Sequence, residues 1–175
     1  MRVFGLVFLM LLLFGSFKPT AEDYILLSTK TFSVKGSTSI GKYDCDYKLE
    51  TRDTLFLNQK KGVNYKVPVK NFGCGNFLLT GDFRKTLKEK QYPWVFIKVT
   101  DVKKSGQNYK YNLHLDLAGK VKYFQNLNFV SDKNGLRGEV ELKFSDFDLA
   151  PPQKLGGAIK VKEEINLNIF LKTRN

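Results

Sequence analysis

The sequence predicts an all-β fold, an antiparallel barrel of about eight strands with one short helix. Three observations carry that expectation. Apolar and polar residues alternate in almost every segment after Tyr24, turn signals recur roughly every eight to twelve residues, and the period changes only once, between Phe72 and Pro93. Alternation sets one side of a segment against a core and the other in water, as a half-buried strand requires. A sandwich would use the same alternation. Long strands joined mostly by hairpins, with a single interrupting helix, favour the barrel.

The elements follow in order. Phe32, Val34, Thr38 and Ile40 hold one parity while Tyr43, Cys45, Tyr47 and Leu49 hold the other, which predicts a bulge or bend near Gly41. Leu55 and Leu57 form a short strand, Lys60-Lys61-Gly62 a turn, and Val63, Tyr65, Val67 and Val69 another strand, whose Pro68 on the polar parity points to a sheet edge or bulge. Thr80 or Asp82 is suited to cap a short helix that places Phe83 and Leu87 on one face, with Lys85, Lys88 and Lys90 toward its C-terminal end and Pro93 as its stop. That apolar face has to cover something. The open end of a barrel is the nearest surface.

Alternation resumes at Trp94 with Val95, Ile97 and Val99, turns at Ser105-Gly106, and continues through Tyr109, Tyr111, Leu113, Leu115 and Leu117. Gly119 predicts a sharp return, Val121, Tyr123, Leu127 and Phe129 the next strand, and Asn134-Gly135 a type I′ hairpin. Val140, Leu142 and Phe144 lead to a Pro/Gly-rich corner, after which Ile159, Val161, Ile165, Leu167, Ile169 and Leu171 share one parity. These two long strands are the expected closing staves.

Ahead of the strands, Arg2, the apolar run Val3 to Phe14 and the small, polar stretch Gly15 to Ala21 read as a secretory signal peptide. A membrane helix needs about 20 apolar residues, more than this run supplies. The expected organisation is therefore a leader at 1–21 and one domain at 22–175, about 150 residues that can bury about two-thirds of their unfolded surface. The formal charge is +12, and the leader holds only Arg2 and Lys18 of the basic residues, which leaves +10. In an exported chain that balance suits anionic lipid head groups, envelope polymers or a plain lysine-covered solvent face better than nucleic acid. Cys45 and Cys74, an even count in an oxidising compartment, suggest one disulfide; two buried thiols are the alternative.

Little in the inventory points to catalysis. His114, the single histidine, lies on the polar parity between Leu113 and Leu115, and no cluster of metal ligands or nucleophile with an adjacent base is apparent. Asp146 and Asp148, next to Pro151-Pro152, read as turn residues. Tyr109-Lys110-Tyr111 and Lys122-Tyr123-Phe124 interleave aromatic and basic residues as a single-strand-binding platform would, but Tyr109 and Tyr111 share the apolar parity and belong inside. No enzyme activity, cofactor, metal or nucleic-acid partner is expected. The apolar inner wall either fills a core or lines a cavity for a lipid tail.

Four segments carry a family resemblance. FSDFDLAPPQKLGGAIKVKEEINLNIFL, FSVKGSTSIGKYDCDY at Phe32 to Tyr47, LKEKQYPWVFIKV at Leu87 to Val99 and LDLAGKVKYFQNLNF at Leu115 to Phe129 together resemble the YceI-like family, in the right order and over nearly all of the chain after the leader. The resemblance implies a lipocalin-like barrel, periplasmic or secreted, whose apolar channel holds a polyisoprenoid or related amphiphile without catalysis. Its lining would be Phe32, Val34, Val95, Ile97, Val99, Tyr111, Leu113, Leu115, Leu117, Val121, Leu142, Phe144, Ile165 and Leu167, with Phe83, Leu87 and Trp94 as cover. Lys85, Lys88 and Lys90 would meet an anionic head group, and membrane-surface contact is a further expectation. The chain departs from the family in lacking an early histidine and in a shortened N-terminal strand, and the cysteine pair belongs to some members only. Lipid carriage or a part in envelope stress would follow. The competing reading is a filled-core envelope protein whose basic surface binds an acidic partner. Nothing in the pattern sets an oligomeric state.

Overall fold

The computed structural model describes residues 23–58 and 62–174. The leader expected at 1–21 lies outside the described residues, as do Lys60 and Lys61 of the expected turn. Nine strands and one α-helix follow in order: β1 Tyr24–Thr38, β2 Gly41–Phe56, β3 Val63–Pro68, α1 Phe77–Thr86, β4 Trp94–Ser105, β5 Asn108–Leu117, β6 Lys120–Asp132, β7 Gly135–Lys143, β8 Gln153–Lys154 and β9 Ile159–Thr173. All pairings are antiparallel, in the order β2-β1-β9-β7-β6-β5-β4-β3, with the two-residue β8 laid against β9. The sheet curls into a nearly closed, lipocalin-like all-β barrel.

The seam lies between β2 and β3, the two ends of that order. β9 therefore joins β7 to β1 and does not close the ring, contrary to the closing role expected of it. Pro68 sits on the edge strand β3, where a missing backbone donor leaves no ladder bond unmade. Past β3 the seam is fastened locally. The amides of Asp46 and Gly73 donate to each other's carbonyls at 2.9 and 3.0 Å, and the adjacent Cys45 and Cys74 form a disulfide across 29 residues.

Several local expectations are corrected. β1 is 15 residues long, and of the bulge or bend expected near Gly41 the structure has the bend, as a hairpin turn at Ser39-Ile40. The hairpin at the end of β6 turns on Lys133-Asn134, neither at positive φ, because Asp132 Oδ1 accepts from the amides of Asn134 and Gly135 and holds an Asx turn one residue earlier than the Asn-Gly pair predicts. Both residues of the β5–β6 turn, Ala118 (φ 51°) and Gly119 (φ 77°), are left-handed, the geometry of a type I′ turn. Helix α1 begins before Thr80: Asn76 is its N-cap, accepting from the amide of Leu79 at 2.8 Å, while the Thr80 hydroxyl accepts from the amide of Cys74.

The antiparallel order gathers the connections at two ends. The β1–β2 and β5–β6 turns, the Val69–Pro93 excursion carrying α1, and the 144–158 corner stand at one end, and the turns after β4 and β6 at the other. Helix α1 crosses the first end. It starts beside the disulfide and leads to Tyr92, whose ring packs over Gly119, where a Cβ would stand 2.7 Å from the ring. The Phe83 ring packs tilted against Phe72 with centroids 5.5 Å apart, and Phe83 and Leu87 are both buried. Among the described residues no helix is long and apolar enough to cross a membrane.

Candidate ligand-binding site

The strand parities bring most of the expected lining together. Phe32, Val95, Ile97, Val99, Tyr111, Leu113, Leu115, Leu117, Leu142, Phe144, Ile165 and Leu167 are all buried in one cluster with Phe83 and Leu87, and Val34 packs half-buried against it. Two expected members face outward. Trp94 is on the parity opposite to Val95, and its ring lies outside the barrel under the Lys66 ammonium, 4.2 Å from the centroid. Val121 is turned out by a bulge in β6: the register shifts between Tyr111 and Leu113, opposite a left-handed Asn126, so Phe124 packs against the core while Val121 and Tyr123 are exposed. A wall read on one parity from Val121 to Phe129 misses that shift.

Three polar groups sit among the apolar ones. Lys30 is 2% exposed, with its ammonium ion-paired to Asp53 of β2 and 4.1 Å from the Tyr65 ring centroid across the seam. Burial lowers its pKa to about 8. The hydroxyls of Tyr65 and Tyr111 are buried and have no hydrogen-bond partner, and burial raises both of their pKa values. Such an unpaired hydroxyl costs about 1 to 3 kcal/mol. Tyr111 stacks on Phe129 with centroids 3.8 Å apart, and Gly138 makes room for both, since a Cβ there would lie 2.5 Å from the Tyr111 hydroxyl. Lys30 was legible as a lysine on the parity of Phe32. Tyr65 and Phe129 share the parity of the lining and belong to it in the structure.

Packing inside is tight. Phe32, Val99, Leu113, Phe129 and Leu171 expose no surface, even to a gap the size of water. A cavity of about 30 Å³ opens under α1, between Leu79, Asp82, Phe83 and Thr86 of the helix and Tyr43, Phe144, Pro152 and Val161 of the barrel rim. On the helix's outer side, Arg84, Lys85, Lys88 and Lys90 converge with Gly81, Glu89 and Gln91 around a depression of about 610 Å³. The lysines picked out in the sequence thus line the outside of the cover.

The two aspartates serve the loop at this rim. Asp146 accepts from the Lys143 amide and pairs with Lys122, while left-handed Asp148 pairs with Lys120 at 2.6 Å; these cations hold both carboxyls below the usual range. His114 stands on the outer wall, edge-on to Tyr123 at 4.5 Å. Among the described residues no three of the His, Cys, Asp and Glu side chains gather as a metal site would need.

Barrel, covering helix and apolar interior define a lipocalin-like architecture. Solved structures narrow it. A polyisoprenoid-binding domain from Saccharophagus degradans superposes with a TM-score of 0.51 at 12% identity, over 88% of this chain and all of that one. BcnA of Burkholderia cenocepacia gives 0.53 at 13% identity, covering 82% and 94%, and the YceI protein of Campylobacter jejuni 0.50 at 19%, covering 66% and 73%. The chain has the YceI-like fold. No protein-family model matches the sequence, and neither does any curated protein.

Proposed function

We propose that this protein binds the tail of a polyisoprenoid or similar amphiphilic lipid inside the barrel, and that it does so outside the cytoplasm. The observation that carries this reading is the placement of α1. A ten-residue helix with Phe83 and Leu87 turned inward covers one end of an apolar barrel and leaves a small apolar cavity at its edge. Each buried CH₂ of a tail contributes about 0.8 kcal/mol, so a few isoprene units offset the cost of displacing such a cover. The unpaired Tyr65 and Tyr111 hydroxyls suit the polar atoms of a ligand that reaches them. The polyisoprenoid-binding structural neighbour points the same way. Export is supported by the disulfide and by the leader-like first residues; lipid carriage or an envelope stress role would be its use.

Tight interior packing favours a second reading, a filled barrel that works through its basic surface. Native mass spectrometry of the purified protein separates the two. Lipid binding predicts a bound species of lipid mass that organic solvent removes and added polyprenol restores. A protein that stays at its bare mass in excess polyprenol sinks the lipid reading and leaves the surface one.

A further inference from the structure

Large apolar side chains are unusually exposed at the α1 end of the barrel. Ile40 at the β1–β2 turn is 74% exposed, Phe77 and Leu78 at the start of α1 83% and 67%, and Leu155 in the 144–158 corner 80%. Three separate chain segments contribute them, and hydrogen bonds and an ion pair hold those segments together. The Ser39 hydroxyl donates to the Ala158 carbonyl at 3.2 Å, the Ser39 amide donates to Lys160, and Lys154 pairs with Asp82 at 2.7 Å. Leu78 lies one helical turn before Asp82, on the side where the helix pairs with Lys154, the residue before Leu155. Exposed apolar tips fixed together at one end form a surface that water alone does not favour.

Charge completes the pattern. The outer side of α1 carries Phe77, Gly81, Arg84 and Lys85, and Lys88 and Lys90 follow just past its end, so this stretch is apolar at its start and basic at its finish. Arg84 donates from one nitrogen to the Phe72 carbonyl, while its buried Nε has no partner. Apolar fingers beside a basic depression match the layering of an anionic bilayer, with acyl chains below phosphate head groups. At the other end the described hairpin tips, Gly106-Gln107 and Lys133-Asn134, are polar, and the exposed Tyr24, Leu26 and Val130 stand on strand walls and not on tips.

We propose that the α1 end docks on an anionic lipid bilayer, with Ile40, Phe77, Leu78 and Leu155 entering the interface and Arg84, Lys85, Lys88 and Lys90 on the head groups. This deepens the lipid-binding reading and rests on it for its purpose, because the same end holds the cavity through which a tail would pass from membrane to barrel. Docking itself is read without any ligand inside.

The test is flotation of the purified protein with phosphatidylcholine vesicles, with and without phosphatidylglycerol. Binding should require phosphatidylglycerol and weaken as salt rises. Combining Phe77→Ser, Leu78→Ser and Leu155→Ser should reduce partitioning about tenfold or more, as should Lys85→Gln, Lys88→Gln and Lys90→Gln together. These side chains are exposed, so an unchanged circular dichroism spectrum and melting profile serve as the folding control. Val130→Ser, an exposed apolar site on β6, should bind as the parent does. Failure to float with anionic vesicles, or equal flotation of the rim variants and the parent, overturns the proposal. Because mass spectrometry reads the interior separately, docking and tail binding can fail independently.

Discussion

The two ends of this barrel are made by the same long strands and both carry two-residue hairpins, and they differ in what else the chain adds. At one end the described hairpins are as short as hairpins become, Gly106-Gln107 and Lys133-Asn134, with polar tips. At the other, the chain inserts α1 between β3 and β4 and the 144–158 corner between β7 and β9, fastens the seam with a disulfide, and exposes Ile40, Phe77, Leu78 and Leu155 on its loops and helix. A helix and a long corner gathered at one end, on a wall whose inner face is mostly apolar, are what the proposed lipid container with a single entrance requires.

The sharpest way to break that contrast is to remove its fastener. Replacing Cys45 and Cys74 by Ala should lower stability by about 3 to 4 kcal/mol in the chain-entropy account, measured as a fall in the urea midpoint with a steeper slope, because the unfolded chain without its crosslink exposes more surface. Hydrogen exchange should accelerate at Asp46, Gly73 and α1 well before β5 and β6, and uniform acceleration would mean that the ends are not independent. Phe83→Ala should cost about 3 kcal/mol or more if the cover is integral to the fold. A smaller loss, with exchange rising only in α1, would mark the helix as a separately opening lid.

A smaller effect probes the interior. The ammonium of Lys30 is held at about 8 against 10.5 for an exposed lysine, so between those values the unfolded chain binds more protons and stability should rise with pH. Above about pH 10 the raised tyrosines, among them Tyr43 at about 12, oppose that rise, because the unfolded chain sheds its phenolic protons first. Lys30→Met should abolish the rise and stabilise the protein near pH 7 by on the order of 2 kcal/mol, since its partner Asp53 is 40% exposed and keeps its water. Urea titrations at a series of pH values read both. The smallest effect belongs to Asn76→Ala, about 1 kcal/mol from a lost helix cap, seen as a modest drop in the urea midpoint.

The walls were far more legible in sequence than the ends. Alternation placed Phe32, Ile97, Leu113, Leu142 and Leu167 inside because a strand's period is two and one face is dry. It failed at Val121, where one bulge near Asn126 inverts the parity between the two halves of the strand, and Trp94, a cover candidate because its strand follows the helix, has the outward parity. Turns were read by composition, yet Asp132 holds the β6–β7 turn through its side chain and outweighs the Asn-Gly preference beside it. The seam between β2 and β3 could not be found by reading along the chain, because strand order is a property of pairing between distant segments. The Lys30–Asp53–Tyr65 contact, which crosses it, was hidden for the same reason.

The central claim is that an amphiphile's tail occupies the barrel after entering past α1. Titrating methyl-labelled protein with a solubilised polyprenol and following the methyl resonances by NMR tests it most directly. Saturable shifts at the fully buried Val99, Leu113 and Leu171, together with Leu87 beneath the helix, are the predicted result. Shifts confined to the exposed Leu78 and Leu155, with the interior unmoved at saturation, would contradict it.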